Sequence, residues 1–566
     1  MISKLFTKYL KETRYKILSL LVISFLLFFI QLDIKIYTGL FFSILFFIIY
    51  IFSDQEYLTL NLKISDKVIF FLILIFVFLL QNKYLDYEII SIDIPSYLVA
   101  SQNVGLSELP YETQWDSKGP LFMYLYNFIS FLSQDDLVFF KLSNDILLFF
   151  VSFILYKSSL IHTNQKLQAI FPVLFFLSVT SYVWYISEYS ELYCLVFISI
   201  HYYVLNKYRL STYSVVFASS LISLSSLINQ STAIFFFVTF LIIYVKNEQK
   251  IDFKYFFYAI FSFITPHLFF ILLYQINDLL VVYILNYIEI PFGYVRSGNF
   301  EIYELIVWLK RYFEYSALLY SAILFLGSYV IYYFLNQKFR ISEDLKIVIF
   351  FIFLSLLIYV IAGHNYQHHL FYFIYFISLL ISNLKINYHS IFLYFLIAFS
   401  FSQTLYLNAQ DSINNLMSVK EISKTYPLKT ISGDIKSALN KEEFTVLAFD
   451  HLLILYYLEK QNSSYIIHPY NNYEEYIVSS LINSNLLVSN EISHFSYYIE
   501  KEPDVIICNP WTIVLGNPTQ FDGLNCEISD YKKNYKKLST LGYLNKENRE
   551  FFLDPYKEVS VYIKNS

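Results

Sequence analysis

The chain has 566 residues, of which 57% are hydrophobic, 21% aromatic and only 15% charged. Soluble domains average about a quarter charged, so this composition excludes an ordinary soluble protein and points to one built for a bilayer. A net charge of -5 leaves no basic footprint and argues against a nucleic-acid partner.

Phe, Ile, Tyr, Asn and Lys abound while Gly and Ala are scarce, which is the bias a strongly AT-rich genome imposes. The 55 tyrosines therefore do not count as evidence of sugar stacking. Cys194, Cys508 and Cys526 are too few and too irregularly spaced for a metal cluster or a disulfide framework. Cys508 and Cys526 could pair if their domain lies outside the cytoplasm, but three unpaired thiols are the expectation.

The start, "MISKLFTKYLKETRYK", carries basic residues ahead of an apolar run. No small-residue cleavage site follows and a second run begins at once, so an uncleaved anchor is expected. Runs long enough to cross roughly 30 Å of hydrocarbon lie near 17–31, 34–53, 67–81, 135–156, 167–184, 190–205, 211–228, 231–245, 255–275, 314–335, 347–362, 370–384 and 389–407, 13 in all. With the N-terminus inside, the cytoplasmic segments hold 18 Lys and Arg and the opposite membrane loops 7. That bias places the N-terminus in the cytoplasm and everything after residue 407 outside.

Between the third and fourth spans comes a long outer segment, Asn82 to Gln134. It fits two short amphipathic helices, "PSYLVASQNV" and "PLFMYLYNFISFL", each opened by a proline whose missing N–H costs little in a first turn. The second is too short to span and is placed in the interface plane. Further outer segments are "WYISEYSEL", the loop Asn277 to Arg311, and "AGHNYQHHLFYF" with His364, His368 and His369. Residues 408–566 are polar enough for a small α/β domain. "EEFTVLAFD", "PDVIIC" and "EVSVYI" read as strands, "HLLILYYLEK" and "EEYIVSSLI" as helices.

Most carboxylates of an outer loop are solvated surface charges, and Asp86, Glu108 and Glu112 are read so. Asp93, taken alone, reads as a helix cap. Glu191 is different: an ionisable group at the membrane boundary of an apolar helix is costly unless it faces a partner or a wet cavity. His368 and His369 are adjacent and would face apart on a helix, whereas zinc needs three or four convergent ligands. Phosphate contact or interfacial hydrogen bonding is therefore expected of them, and no metal.

The order of these features resembles the GT-C superfold of polytopic glycosyltransferases, in the bacterial branch related to protein mannosyltransferases and aminoarabinose transferases. The matching residues are Asp93 and Tyr97 in "DIPSY", then Lys118, Gly119, Pro120 and Leu121 in "DSKGPL". Lys141 in "FFKLSNDILL" stands where an arginine is usual, and Glu191 in "SEYSELYCLVF" falls on the glutamate of the second outer loop. "LINQSTAI" is similar to the turn between two short helices, and "YQHHLFYFIYFISLL" to the last histidine-bearing helix. Ile94 replaces the usual second acid and no proline follows the histidines, which argues against a family-like dependence on a divalent metal.

The resemblance implies a polytopic α-helical membrane domain, 1–407, with its site in the outer loop 82–134, and an extracytoplasmic domain, 408–566. It implies inverting transfer of a sugar from a polyprenyl-phosphate donor to a glycan, lipid or protein acceptor, on the outer face of a bacterial inner membrane. Displacement at an anomeric carbon needs a base for the acceptor proton and cations for the leaving phosphate. Asp93 is expected as the base and Glu191 as the group that orients it or the acceptor. Lys118, with Arg296, His368 or His369, is expected on the phosphate, and Tyr97 and Glu188 in substrate binding. Asp116 is read as the partner of Lys118, and Trp115 as a ring at headgroup level. The rival is a flippase or transporter of lipid-linked glycans. That would call for internal repeats and mid-membrane broken helices, whereas no convincing repeat is found and the carboxylates cluster at the outer interface rather than mid-span.

Overall fold

In the computed structural model, the described residues are 64–565 apart from 92, 106, 183–184, 186–187, 248–249, 251, 298–300, 336–341, 363–365, 384–387, 488–497, 509–530 and 543–557. The expected anchor and the runs 17–31 and 34–53 lie outside them, as does His364. Every expected run from 67–81 onward falls on a helix. Among the described residues, four helices are long and apolar enough to cross a membrane by length and composition: Asp66–Tyr84, Leu137–Thr163, Phe253–Ile276 and Glu343–Ala362. On Phe253–Ile276 the residues Phe253, Phe257, Phe261, Ile264 and Leu268 form an exposed apolar stripe. Water does not tolerate such a surface on a folded protein, and lipid does.

Helix boundaries follow local chemistry. The Asp136 carboxylate accepts from Val138 N at 2.9 Å and opens Leu137–Thr163, and Asn164 at φ 53° closes it. Ser211 and Ser214 form a capping box at Thr212–Ile228.

Three segments depart from the expectation. The run 231–245 begins as a 3₁₀ turn, Gln230–Phe235, before the α-helix Phe236–Lys246. The outer loop 277–311 is largely helical, with Leu280–Ile284, a π turn Leu285–Glu289, Ile290–Ser297 and the amphipathic Ile302–Tyr315. The next helix therefore starts at Ala317, after a break at Ser316.

The helix Tyr388–Met417 runs through residue 407 without a break. Beyond it lies a four-stranded sheet of β1 (Val446–Ala448), β2 (Val505–Cys508), β3 (Tyr535–Gly542) and β4 (Glu558–Lys564), in the order β1-β2-β4-β3. β1 and β2 are parallel, and β4 is antiparallel to both its neighbours. Buried residues from Ile69 to Val561 form one contiguous apolar cluster, so the sheet and the helical body share a core. Glu88 ties them further, accepting from the backbone N–H groups of Leu428 and Lys429 at 2.8 and 3.1 Å and capping the helix Pro427–Leu439 from outside. Cys194 is buried and free, whereas Cys508 is disulfide-bonded, which corrects the expectation of three unpaired thiols.

Candidate active site

The helix Asp93–Ser101 begins at Asp93, and the helix Pro120–Leu132 begins at Pro120 with Gly119 as its cap residue. The second helix buries Phe122, Met123 and Tyr126 and exposes Phe128, Phe131 and Leu132, the one-sided pattern of an interfacial helix. Gly119 makes the junction. Its N–H donates to Ile228 O at 2.9 Å, and a Cβ there would lie 2.2 Å from Leu227 O. Only glycine permits that approach.

Asp93 does more than open a helix. Its Oδ1 accepts from His468 Nε2 at 2.8 Å, and its side chain keeps 23% of its surface exposed. Burial pushes the Asp93 carboxyl up, but the bond and charge of His468, with His368 and Lys118 beyond, outweigh it and hold Asp93 below the usual carboxylate range. Burial pulls His468 down, and the bond to Asp93 with the charges of Asp93 and Asp116 raises it above the usual imidazole range, Lys118 opposing. Both shifts favour the charged carboxylate–imidazolium pair over the neutral one.

Glu191 sits in the first turn of Ser190–Lys207, only 1% exposed, where the positive end of the helix suits an anion. Its Oε1 accepts from Asn229 Nδ2 at 3.2 Å and meets His369 Nδ1 at 3.1 Å, and its Oε2 accepts from Ser190 Oγ at 3.1 Å. His368 stacks on Tyr189 with centroids 4.2 Å apart. Burial and the neighbouring His369 push His368 down to about 3 against the pull of Glu191 and Asp93. It is therefore neutral before a ligand arrives, a donor or acceptor rather than a cation. The Lys118 ammonium lies 5.7 Å from the centroid of the Tyr97 ring.

The Lys118 ammonium acts electrostatically on both Asp93 and Glu191, and neutral His368 lies near both. Two carboxylates, a lysine and a histidine are thus electrostatic neighbours.

No protein-family model matches the sequence, and no curated protein matches it closely. Among solved structures the chain is similar to ArnT from Cupriavidus metallidurans bound to undecaprenyl phosphate. The TM-score is 0.45 and the identity 11%, over 88% of this chain and 97% of that one. The apo state of the same protein gives 0.44 and 12% over 88% and 97%. The Archaeoglobus fulgidus oligosaccharyltransferase tethered with an acceptor peptide gives 0.42 and 11% over 78% and 69%. These are likenesses in the course of the chain, of GT-C fold glycosyltransferases, and at TM-scores below 0.5 the functional reading rests on the side chains gathered around Asp93 and Glu191.

The expectation that His368 and His369 diverge is corrected. They lie in a 3₁₀ turn, Gln367–Leu370, and ligand atoms of Glu191, His368 and His369 fall within 4.8 Å of one another, a spacing that can hold one metal ion. Trp115 does not offer its ring to lipid headgroups. It is 0% exposed, its backbone N–H donates to Tyr465 O at 2.7 Å, and its carbonyl accepts from Ile467 N at 3.1 Å. Asp116 is 1% exposed, with His468 and Lys118 as its cationic neighbours, and burial holds it above the usual carboxylate range against their pull. Glu108 is not simply solvated, for it accepts from Gln461 Nε2. Glu188 lines an adjoining cavity with Lys141, Asn144 and Asp145, and its backbone oxygen accepts from Tyr126 OH at 2.9 Å. Arg296 lies on the helix Ile290–Ser297, and its side chain is outside the described residues. Sequence reasoning missed His468 and the role of Asn229. Asn229 ends the apolar helix Thr212–Ile228 within the "LINQSTAI" turn, and a polar residue at such an end is the available signal.

Proposed function

We propose that the chain is a membrane glycosyltransferase that moves a sugar from a polyprenyl-phosphate donor to an acceptor hydroxyl or amine at the outer face of a bacterial cytoplasmic membrane. The single observation that carries this reading is that Lys118 and His368 are electrostatic neighbours of both Asp93 and Glu191, next to the start of the helix Pro120–Leu132. There a lipid phosphate and an aqueous acceptor can meet.

The Asp93 Oδ2 atom takes the proton from the acceptor as its oxygen or nitrogen attacks the anomeric carbon. The bond from that carbon to the phosphate oxygen breaks with its electron pair, and the polyprenyl phosphate leaves as an anion beside the Lys118 ammonium. Glu191, held by Asn229, Ser190 and His369, orients the acceptor. Neutral His368 donates a hydrogen bond to the phosphate. A divalent ion in such a reaction would be held by Glu191, His368 and His369, and would supply charge neutralisation of the leaving group. The carboxylates gather at one end of the helices, which suits interfacial chemistry better than transport through mid-membrane. The bonded Cys508 accords with an oxidising compartment.

The test is transfer of radiolabelled sugar from synthetic polyprenyl-phosphate donors by purified protein. Wild type should form acceptor product and free polyprenyl phosphate. Asp93→Asn should lose at least about 10²-fold in rate while binding polyprenyl phosphate and melting as wild type does. Full activity in that variant removes Asp93 as the base. Movement of intact donor across liposomes without transfer makes the protein a transporter.

A further inference from the structure

We infer that His468 is the positioning residue of the proposed base, and that the C-terminal region supplies it as an integral wall of the active site. The inference rests on the reading above, that Asp93 acts as a base.

Asp93 and His468 stand 375 positions apart in the chain, yet their side chains meet at 2.8 Å. The meeting is built rather than incidental. Trp115 and Ile466 form a parallel β-bridge, with Trp115 N–H on Tyr465 O and Ile467 N–H on the Trp115 carbonyl. Gln114 Nε2 donates to Asn462 O at 3.1 Å and to Ser464 O at 3.3 Å, and its Oε1 accepts from Asn462 N at 3.0 Å. Tyr465 OH reaches Tyr111 O at 2.6 Å. Each contact joins the segment 462–467 to the stretch Tyr111–Trp115, just ahead of Lys118. His468 follows directly, and Pro469 opens the next turn and fixes its exit.

The groups facing Asp93 are His468, Lys118, His368, Asp116 and Tyr97. Those facing His468 are Asp93, Asp116 and Lys118. Within this set His468 alone bonds the Asp93 carboxylate among the described contacts. By holding Oδ1 it leaves Oδ2 toward the acceptor and keeps the carboxylate ionised in acid. A carboxylate beside a buried imidazolium is a weaker base than a bare one, but it is aimed, and orientation is the larger effect.

The experiment uses the full-length protein in nanodiscs and compares wild type with His468→Gln, His468→Ala and Asp93→Asn. Gln can donate to Oδ1 without carrying charge. Rate against pH is read with a polyprenyl-phosphate sugar donor, and binding of undecaprenyl phosphate is read in parallel. His468→Ala should lose about 10²-fold in kcat, with the acid limb of its profile moved to higher pH and phosphate binding retained. His468→Gln should recover most of kcat but keep the displaced limb. A limb that coincides with wild type in both variants, or no fall in kcat, overturns the inference.

Should wild type transfer no sugar to any acceptor, the functional reading fails separately. The pairing itself is then judged by a double-mutant cycle of melting temperature over pH. Coupling between Asp93→Asn and His468→Gln supports it, and additivity overturns it.

Discussion

Replacing Gly119 by alanine tests whether backbone approach at the "SKGP" junction sets the site. The new Cβ would stand 2.2 Å from Leu227 O, 2.7 Å from Leu227 C and 3.0 Å from Ile228 O, whereas ordinary contact begins at 3.4 Å. Both sides are backbone, one the end of Thr212–Ile228 and the other a segment fixed by Pro120, so no rotamer change relieves the clash. The segment must retreat by about 1 Å, at a cost of about 1–3 kcal/mol, and a melting temperature lower by a few degrees is expected. Lys118 travels with it, and a misplacement of about 1 Å costs on the order of 10²-fold in rate. The assay is release of polyprenyl phosphate from a labelled donor. Gly433→Ala serves as control, since nothing lies within 4 Å of its Cβ position, and it should leave the rate unchanged while adding about 0.5–1 kcal/mol of helix stability. Wild-type rate and melting temperature in Gly119→Ala would refute the reasoning.

Other outcomes follow from the same contacts. Lys118→Met should weaken undecaprenyl phosphate binding by roughly tenfold to a hundredfold, the worth of one hydrogen bond to a charged group, as measured by titration in nanodiscs. Burial raises the Glu88 carboxyl to about 7 against the backbone bonds from Leu428 and Lys429. The folded state then holds a proton that the unfolded state has released, so stability falls as pH rises from about 4.5 to about 7, by about 3 kcal/mol at about 1.4 kcal/mol per pH unit. Glu88→Gln should flatten melting temperature across that window. Trp115→Ala should cost about 3–5 kcal/mol and expose the segment 462–473 to limited proteolysis.

Much of the helical frame was legible, because apolar runs and their caps are local signals. Motif order is what singles out Asp93, Lys118 and Glu191 in the sequence, and the Gly119-Pro120 junction was legible through backbone chemistry. What was not legible depends on distant partners. Trp115 carries no mark in sequence that Tyr465 and Ile467 will cover it, so the usual preference of tryptophan for interfaces misled. His368 and His369 were judged by α-helical spacing, and a 3₁₀ turn opposite Glu191 changes the answer. The strand β3 escaped notice because "YKKLSTLG" pairs its lysines with an edge position rather than alternating cleanly. His468 sits in a polar stretch whose pattern says nothing of a carboxylate 375 residues upstream.

The bridge between Trp115 and Ile466 also sets an order of events during synthesis. Asp93 and Lys118 leave the ribosome early, and the strand partner that completes their surroundings is made only after the last long helix. A nascent chain that stops short of residue 462 carries every motif of the outer loop and still lacks the partner of the Asp93 carboxylate, so this pairing forms late in synthesis and not with insertion of the loop.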